Sequence, residues 1–191
     1  MRNLRTAESG NYMTMDNKGM NEQSLVSRYV VLMGVSGSGK SSVGENLSPL
    51  VGLPYQDGDD MHPQANIDKM ESGTPLNDED RMPWLKNIGE ELAASNGLMI
   101  GCSALKRSYR DLIRSYCPEV VFIHLAGDYE LLIDRMQART GHFMPASLLK
   151  SQFETLEQLQ PDEKGVVIDI APSKEEVAAQ AANYLAGSPT E

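Results

Sequence analysis

The sequence predicts an α/β domain in three layers, a parallel β-sheet with helices on both faces. Apolar runs of strand length alternate with helical patterns from Tyr29 onward, which is the order that builds a parallel sheet through right-handed crossovers. Several of these runs are β-branched and almost continuously hydrophobic, as strands covered on both faces must be. A glycine-rich segment joins the first run to the first helical pattern, and no internal repeat or interior linker divides the chain. A length of 191 residues suits one core of ordinary size.

The elements follow in order. Residues 1–25 are polar and rich in Gly, Asn and Met, without periodicity. They lack the apolar centre of a secretory signal and read as a disordered or loosely attached tail. The domain is placed at 26–187. Strands are expected at 29–35, 54–59, 98–103, 120–125 and 166–170. The helix at 40–50 runs into Gly52, a typical stop. The helix at 77–95 has Asn77 as N-cap, acids at Asp78, Glu79 and Asp80, and an apolar stripe at Trp84, Ile88 and Leu92. A further helix covers 128–139 through Leu131, Leu132 and Met136, and the last, 173–185, opens on a Ser173/Glu176 capping box.

Bulk composition narrows the function classes. Apolar residues at 40% and charged residues at 23% describe a globular chain. No run approaches the roughly 18 apolar residues of a membrane span, so no membrane partner is expected. A formal charge of −10 argues against a nucleic-acid surface. It also means that any anionic ligand needs positive charge concentrated locally. Cys102 and Cys117 show neither disulfide nor metal spacing, which fits a reduced, cytoplasmic protein.

The strongest chemical signal is Gly34-Val35-Ser36-Gly37-Ser38-Gly39-Lys40-Ser41, a complete G-x-x-x-x-G-K-[ST] phosphate loop after a strand and before a helix. Its glycines let backbone N–H groups converge on phosphates, and the helix N-terminus adds a positive dipole end. Lys40 is expected on the terminal phosphates of ATP, and Ser41 on Mg²⁺. Next come Asp57-Gly58-Asp59-Asp60 at the end of the second strand, where Asp57 and Asp59 would share one face. Paired carboxylates beside a phosphate loop suit two jobs, holding Mg²⁺ and taking the proton of an attacking hydroxyl. Either can serve either job; the reading gives Asp57 to the metal with Ser41, and Asp59 to the proton. Asp-Gly is also a common turn sequence.

Basic residues cluster after the strands: Arg81, then Lys106, Arg107 and Arg110 behind Cys102-Ser103-Ala104, then Arg135 and Arg139. Singly each is an ordinary surface cation, but together they supply the positive charge an anionic ligand needs. His62 precedes Pro63, a residue suited to a helix start, and can serve as a polar cap.

Those motifs, with Asn66-Ile67-Asp68-Lys69-Met70, Gly73-Thr74-Pro75-Leu76-Asn77-Asp78-Glu79-Asp80-Arg81, Cys102-Ser103-Ala104-Leu105-Lys106, Gly141-His142-Phe143 and Ser151-Gln152-Phe153-Glu154-Thr155-Leu156-Glu157, closely resemble the gluconate kinase (gluconokinase) family over about residues 29–185. The phosphate loop alone names only a superfamily; the other blocks, in this order, are more specific. The resemblance implies transfer of a phosphoryl group from ATP to D-gluconate, a P-loop kinase fold with sheet order 2-3-1-4-5, and a homodimer. It implies a sugar-acid pocket made from Asp59, His62, Arg81, Ser103, Lys106 and Arg110. It also implies a mobile lid near 139–146, with Arg139 closing over the phosphates as a catalytic residue and Arg135 as the alternative nucleotide arginine. The tail departs from the family pattern. A shikimate-kinase-like enzyme is the nearest rival, although that family carries Gly-Gly-Gly where this chain has Cys102-Ser103-Ala104; a non-catalytic nucleotide-binding module is the other.

Overall fold

The computed structural model describes residues 25–72, 74–138 and 146–187. Five parallel strands form one sheet: β1 (Tyr29–Met33), β2 (Tyr55–Asp57), β3 (Leu98–Gly101), β4 (Val121–Ala126) and β5 (Gly165–Asp169). Their order is β2-β3-β1-β4-β5, as the family resemblance implies. The helices are α1 (Lys40–Val51), α2 (Gln64–Glu71), α3 (Asp78–Ala94), α4 (Arg107–Tyr116), α5 (Tyr129–Ala138), α6 (Ala146–Thr155) and α7 (Lys174–Leu185).

The strand alternation divides the core into two layers. Val30, Leu32, Met99, Val121, Ile123 and Leu125 face Val43 and Leu47 of α1 and Val177, Ala181 and Leu185 of α7. Val31, Met33, Ile100 and Phe122 face Trp84, Ile88 and Leu92 of α3 and Ile113 of α4. Both faces are therefore dry, which explains why the central strands are almost unbroken apolar runs. The Ser173/Glu176 capping box expected from sequence forms, and the expected Asn77 cap proves to be a full box with Asp80.

Strand order places the carboxyl ends of β1 and β3 side by side, with β2 beyond β3, and the loops after them make one cleft. This is where an open parallel sheet collects its ligand. One expectation fails at this edge. β2 ends at Asp57, and residues Gly58–Met61 turn into a 3-10 helix, so Asp59 does not share a strand face with Asp57. The Asp57 carboxylate accepts from the Asp59 N–H at 3.1 Å and caps that turn, while Trp84 Nε1 donates to Gly58 O at 2.7 Å. Gly58 is needed because a Cβ there would lie 2.3 Å from Gly101 O.

Candidate active site

The phosphate loop runs from β1 to α1 and closes on Gly39, the α1 N-cap, at φ 88°. That left-handed geometry suits glycine and turns the first N–H groups of α1 toward the loop's hollow. Several loop groups are held by the protein itself. Lys40 Nζ donates to Gly34 O at 3.1 Å and Val35 O at 3.2 Å. The Ser36 N–H donates to Gln152 Oε1 of α6 at 2.7 Å, and Gln152 Nε2 lies 3.2 Å from Ser36 Oγ. Ser41 Oγ donates to Asp57 Oδ2 at 2.8 Å. By contrast, Ser38 Oγ is buried with no partner among the described residues, a polar atom in want of a ligand.

A cavity of about 300 Å³ opens beside the loop, lined by Gly37, Gly39, Val43, Arg135, Pro172 and Val177 among others. Arg135 Nη2 donates to Ile170 O at 2.6 Å, which fixes the side chain on the cavity wall. Arg135 thus lines the same cavity as Gly37 and Gly39 of the loop. Arg139 and the expected lid lie outside the described residues.

Asp59 and His62 both feel the charge of Arg81, and Asp59 that of Lys40. Ser103 O accepts from the Gly34 N–H at 3.3 Å, tying the turn after β3 to the phosphate loop. Asp59 is exposed at its surface, yet desolvation by the protein around its carboxyl raises it above the usual range. The charge of Asp57 adds to that rise, and Lys40 and Arg81 oppose it. A carboxylate so placed is a better proton acceptor than an ordinary one. His62 stacks on Trp84 with ring centroids 4.1 Å apart and planes at 16°. Burial, aided by the charge of Arg81, lowers its pKa to about 4, so the ring is neutral at neutral pH. The charge of Arg81 is felt by Asp59, His62, Asp78 and the Cys102 thiol, which sets it at the centre of this cluster. Burial pushes the Cys102 thiol up to about 12 and keeps it protonated.

Two of the expected substrate cations are otherwise engaged. Lys106 Nζ donates to both oxygens of Asp78, at 2.8 and 2.7 Å, and Tyr109 Oη donates to the same carboxylate at 2.5 Å. Lys106 thus stands at the cleft's edge, linking the starts of α3 and α4. Arg110 requires a correction, because it is fully buried and has no surface to offer a substrate. Its guanidinium donates to both Glu163 oxygens at 2.7 and 2.8 Å. It also donates to the carbonyls of Ala104, Leu105, Glu157 and Gln158. Its work is to hold the turn after β3, where Ala104 sits at φ 44°, against the segment after α6.

Burial alone would raise the Glu163 pKa. The Arg110 hydrogen bonds, the Gln160 N–H and the charges of Arg110 and Arg114 outweigh it and hold the carboxyl at about 2. A depressed carboxylate stabilises the fold above its unfolded pKa of 4.5, and that contribution disappears as pH falls toward about 2. Glu163→Gln is therefore expected to lower the unfolding free energy at neutral pH by about 3–5 kcal/mol, since it strands the Arg110 charge. Urea titrations of both proteins should show the gap narrowing between pH 4.5 and about 2. A gap of the same size throughout that range would separate the loss from the ion pair.

Gln152, Asn66, Trp84 and Glu163 carry parts of this architecture that sequence reasoning did not assign. Trp84 was legible as core but not as a hydrogen-bond donor. Nothing local marked the other three, whose partners come from different elements.

No family model matches the chain. The thermosensitive gluconokinase of Escherichia coli is 52% identical over 145 residues, covering 73% of this chain and 78% of that protein. The crystal structure of a gluconokinase from Sinorhizobium meliloti matches with a TM-score of 0.78 and 49% identity, covering 83% of this chain and 91% of that one. A shikimate kinase from Aquifex aeolicus matches with a TM-score of 0.57 over 83% of this chain and 96% of its own, but at 16% identity that likeness concerns the fold alone. With identity of this level over more than two thirds of a relative's length, the chain belongs to the gluconokinase family.

Proposed function

We infer that this chain transfers the γ-phosphoryl group of ATP to D-gluconate, giving 6-phospho-D-gluconate and ADP. The observation that carries the inference is an acid, Asp59, that feels both Lys40 of a complete phosphate loop and Arg81, with the neutral imidazole of His62 beside the same guanidinium. A sugar acid offers a carboxylate and several hydroxyls, and this set holds a cation for the first with donors and acceptors for the rest. The cavity beside Gly37 and Val43 suits the nucleotide, with apolar contact from Val43, Pro172 and Val177 and the orphaned Ser38 hydroxyl toward the phosphates.

Ser41 and Asp57 are hard oxygen donors already in contact, the kind that Mg²⁺ takes beside phosphates. The ion, when bound, neutralises charge on the phosphate oxygens. In the transfer itself, a gluconate hydroxyl attacks the γ-phosphorus and the bond to the β-phosphate oxygen breaks. Asp59 accepts the hydroxyl proton, and Lys40 leaves its loop carbonyls to meet the charge on the phosphates. Arg139 and the lid complete the proposal, with closure excluding water from the phosphoryl group. So do a homodimer and a cytoplasmic location, the latter in keeping with the reduced cysteines. Among the described residues no helix is long and apolar enough to cross a membrane.

ADP release that depends on added gluconate tests the reading directly. Release that follows shikimate instead, or that ignores gluconate, would sink it. Within the pocket, Arg81→Lys keeps the charge and loses the planar fork. It should raise KM for gluconate by about tenfold, the scale of a charge-assisted hydrogen bond, with KM for ATP nearly unchanged. The reverse pattern would move Arg81 to the nucleotide.

A further inference from the structure

The state of the His62 ring can be read from its neighbours. Asn66, in the first turn of α2, is 5% exposed, so its amide must find partners inside the protein. Its Nδ2 donates to the backbone Asp80 O at 2.8 Å and lies 3.3 Å from His62 Nδ1. A carbonyl oxygen only accepts, so the amide is assigned with its nitrogen, not its oxygen, toward Asp80. The other N–H of that nitrogen then serves His62 Nδ1. A protonated Nδ1 would set hydrogen against hydrogen, so Nδ1 is the bare nitrogen and the proton of the neutral ring sits on Nε2.

Around this contact the frame is stiff. Trp84 holds the ring face by stacking and is itself tied to Gly58 O. Asp80, whose carbonyl orients Asn66, belongs to the capping box of α3 and accepts from Lys69 Nζ. No described residue accepts from His62 Nε2, so that N–H is available to a ligand.

We propose that Asn66 is a positioning residue that locks His62 in its Nε2–H form, so that the ring meets the sugar acid as a hydrogen-bond donor. The proposal rests on the gluconokinase reading for the identity of the ligand, though not for the tautomer. Its chemical sense lies in complementarity with Asp59. A sugar hydroxyl that gives its hydrogen to a carboxylate keeps its lone pairs, and only donors can hold them. An unlocked ring would present an acceptor part of the time and bind such oxygens less well.

The test joins nitrogen NMR of the histidine ring to kinetics. In the wild-type protein, long-range proton–nitrogen spectra should show His62 Nδ1 as the bare nitrogen and Nε2 as the protonated one, the signal being assigned by its loss in His62→Gln. Asn66→Asp replaces a donor with an acceptor of the same size, so Nδ1 should become the protonated nitrogen. At about pH 9, where the ring is neutral, KM for gluconate should rise about tenfold while KM for ATP stays within about twofold. In a His62→Gln background the Asn66→Asp penalty should vanish, because a glutamine amide keeps its donor whatever occupies position 66. A protonated Nδ1 in the wild type overturns the lock, and a penalty that persists in the His62→Gln background assigns Asn66 a merely structural role. Spectra as expected in a protein whose ADP release ignores gluconate would overturn the contact with the sugar acid and the proposed function together, leaving the tautomer itself established.

Discussion

Lys40→Met is expected to reduce phosphoryl transfer by at least roughly 10²–10³, the usual cost of removing a donor aimed at transition-state charge. In the resting structure the ammonium leans on Gly34 O and Val35 O. Those carbonyls are modest partners for a full charge, and phosphate oxygens are better ones. The charge of the lysine counts most when negative charge grows on the γ-phosphoryl oxygens. Methionine keeps the length of the stem and loses the charge. Because Lys40 is only partly buried, the fold should persist, which thermal melts beside the ADP-release assay will report. Wild-type turnover from a well-folded Lys40→Met protein would remove this loop from the chemistry.

Asp59→Asn should lower kcat by about 10²–10⁴, the range for loss of a positioned base, with KM for ATP little changed. Survival of kcat with an altered Mg²⁺ requirement would exchange the roles of Asp57 and Asp59. The same substitution carries a stability signature of opposite sign. The folded-state pKa of Asp59 is raised by desolvation and by Asp57, so the native state holds that proton more tightly than the unfolded chain. Ionisation then costs stability, and the cost appears as pH rises from the ordinary aspartate value of 3.8 through the folded pKa. Asparagine removes it. The variant should melt at or above the wild-type temperature at neutral pH, with any advantage gone in acid. In the wild-type enzyme kcat should fall on acidification at a pH above the ordinary aspartate range, since the base must be ionised to work.

Features written in contiguous residues were legible in the sequence. The phosphate loop is a single run, and the Asn77 and Ser173 caps depend on partners three residues away. The central strands β1, β3 and β4 announce themselves by hydrophobicity, because both of their faces are covered. The end of β2 was misjudged because Asp-Gly-Asp alternates like a strand. What ends the strand is Asp57 folding back on Asp59 N–H, with Trp84 taking Gly58 O from across the cleft. Arg110 looked like a ligand cation because its partner Glu163 lies 53 positions away, in what reads as a polar turn. Gln152 reaches Ser36 across 116 positions, and nothing near either residue marks the pair. The candidate residues of the site stand in contiguous motifs, and the contacts that support them come from distant positions.

The cavity beside the phosphate loop takes one wall from Gly37–Val43 and the other from Pro172–Val177, and that division bears on biosynthesis. A ribosome adding about 5–20 residues per second needs roughly 7–27 s to travel from Lys40 to Val177. Throughout that interval the apolar face of α1, with Val43 and Leu47, lacks its cover of Val177, Ala181 and Leu185. The nascent chain therefore carries a complete phosphate-loop sequence long before it owns both walls of that cavity, and the apolar face of α1 stays uncovered until α7 is made. A chain stalled before α7 keeps that face of α1 bare.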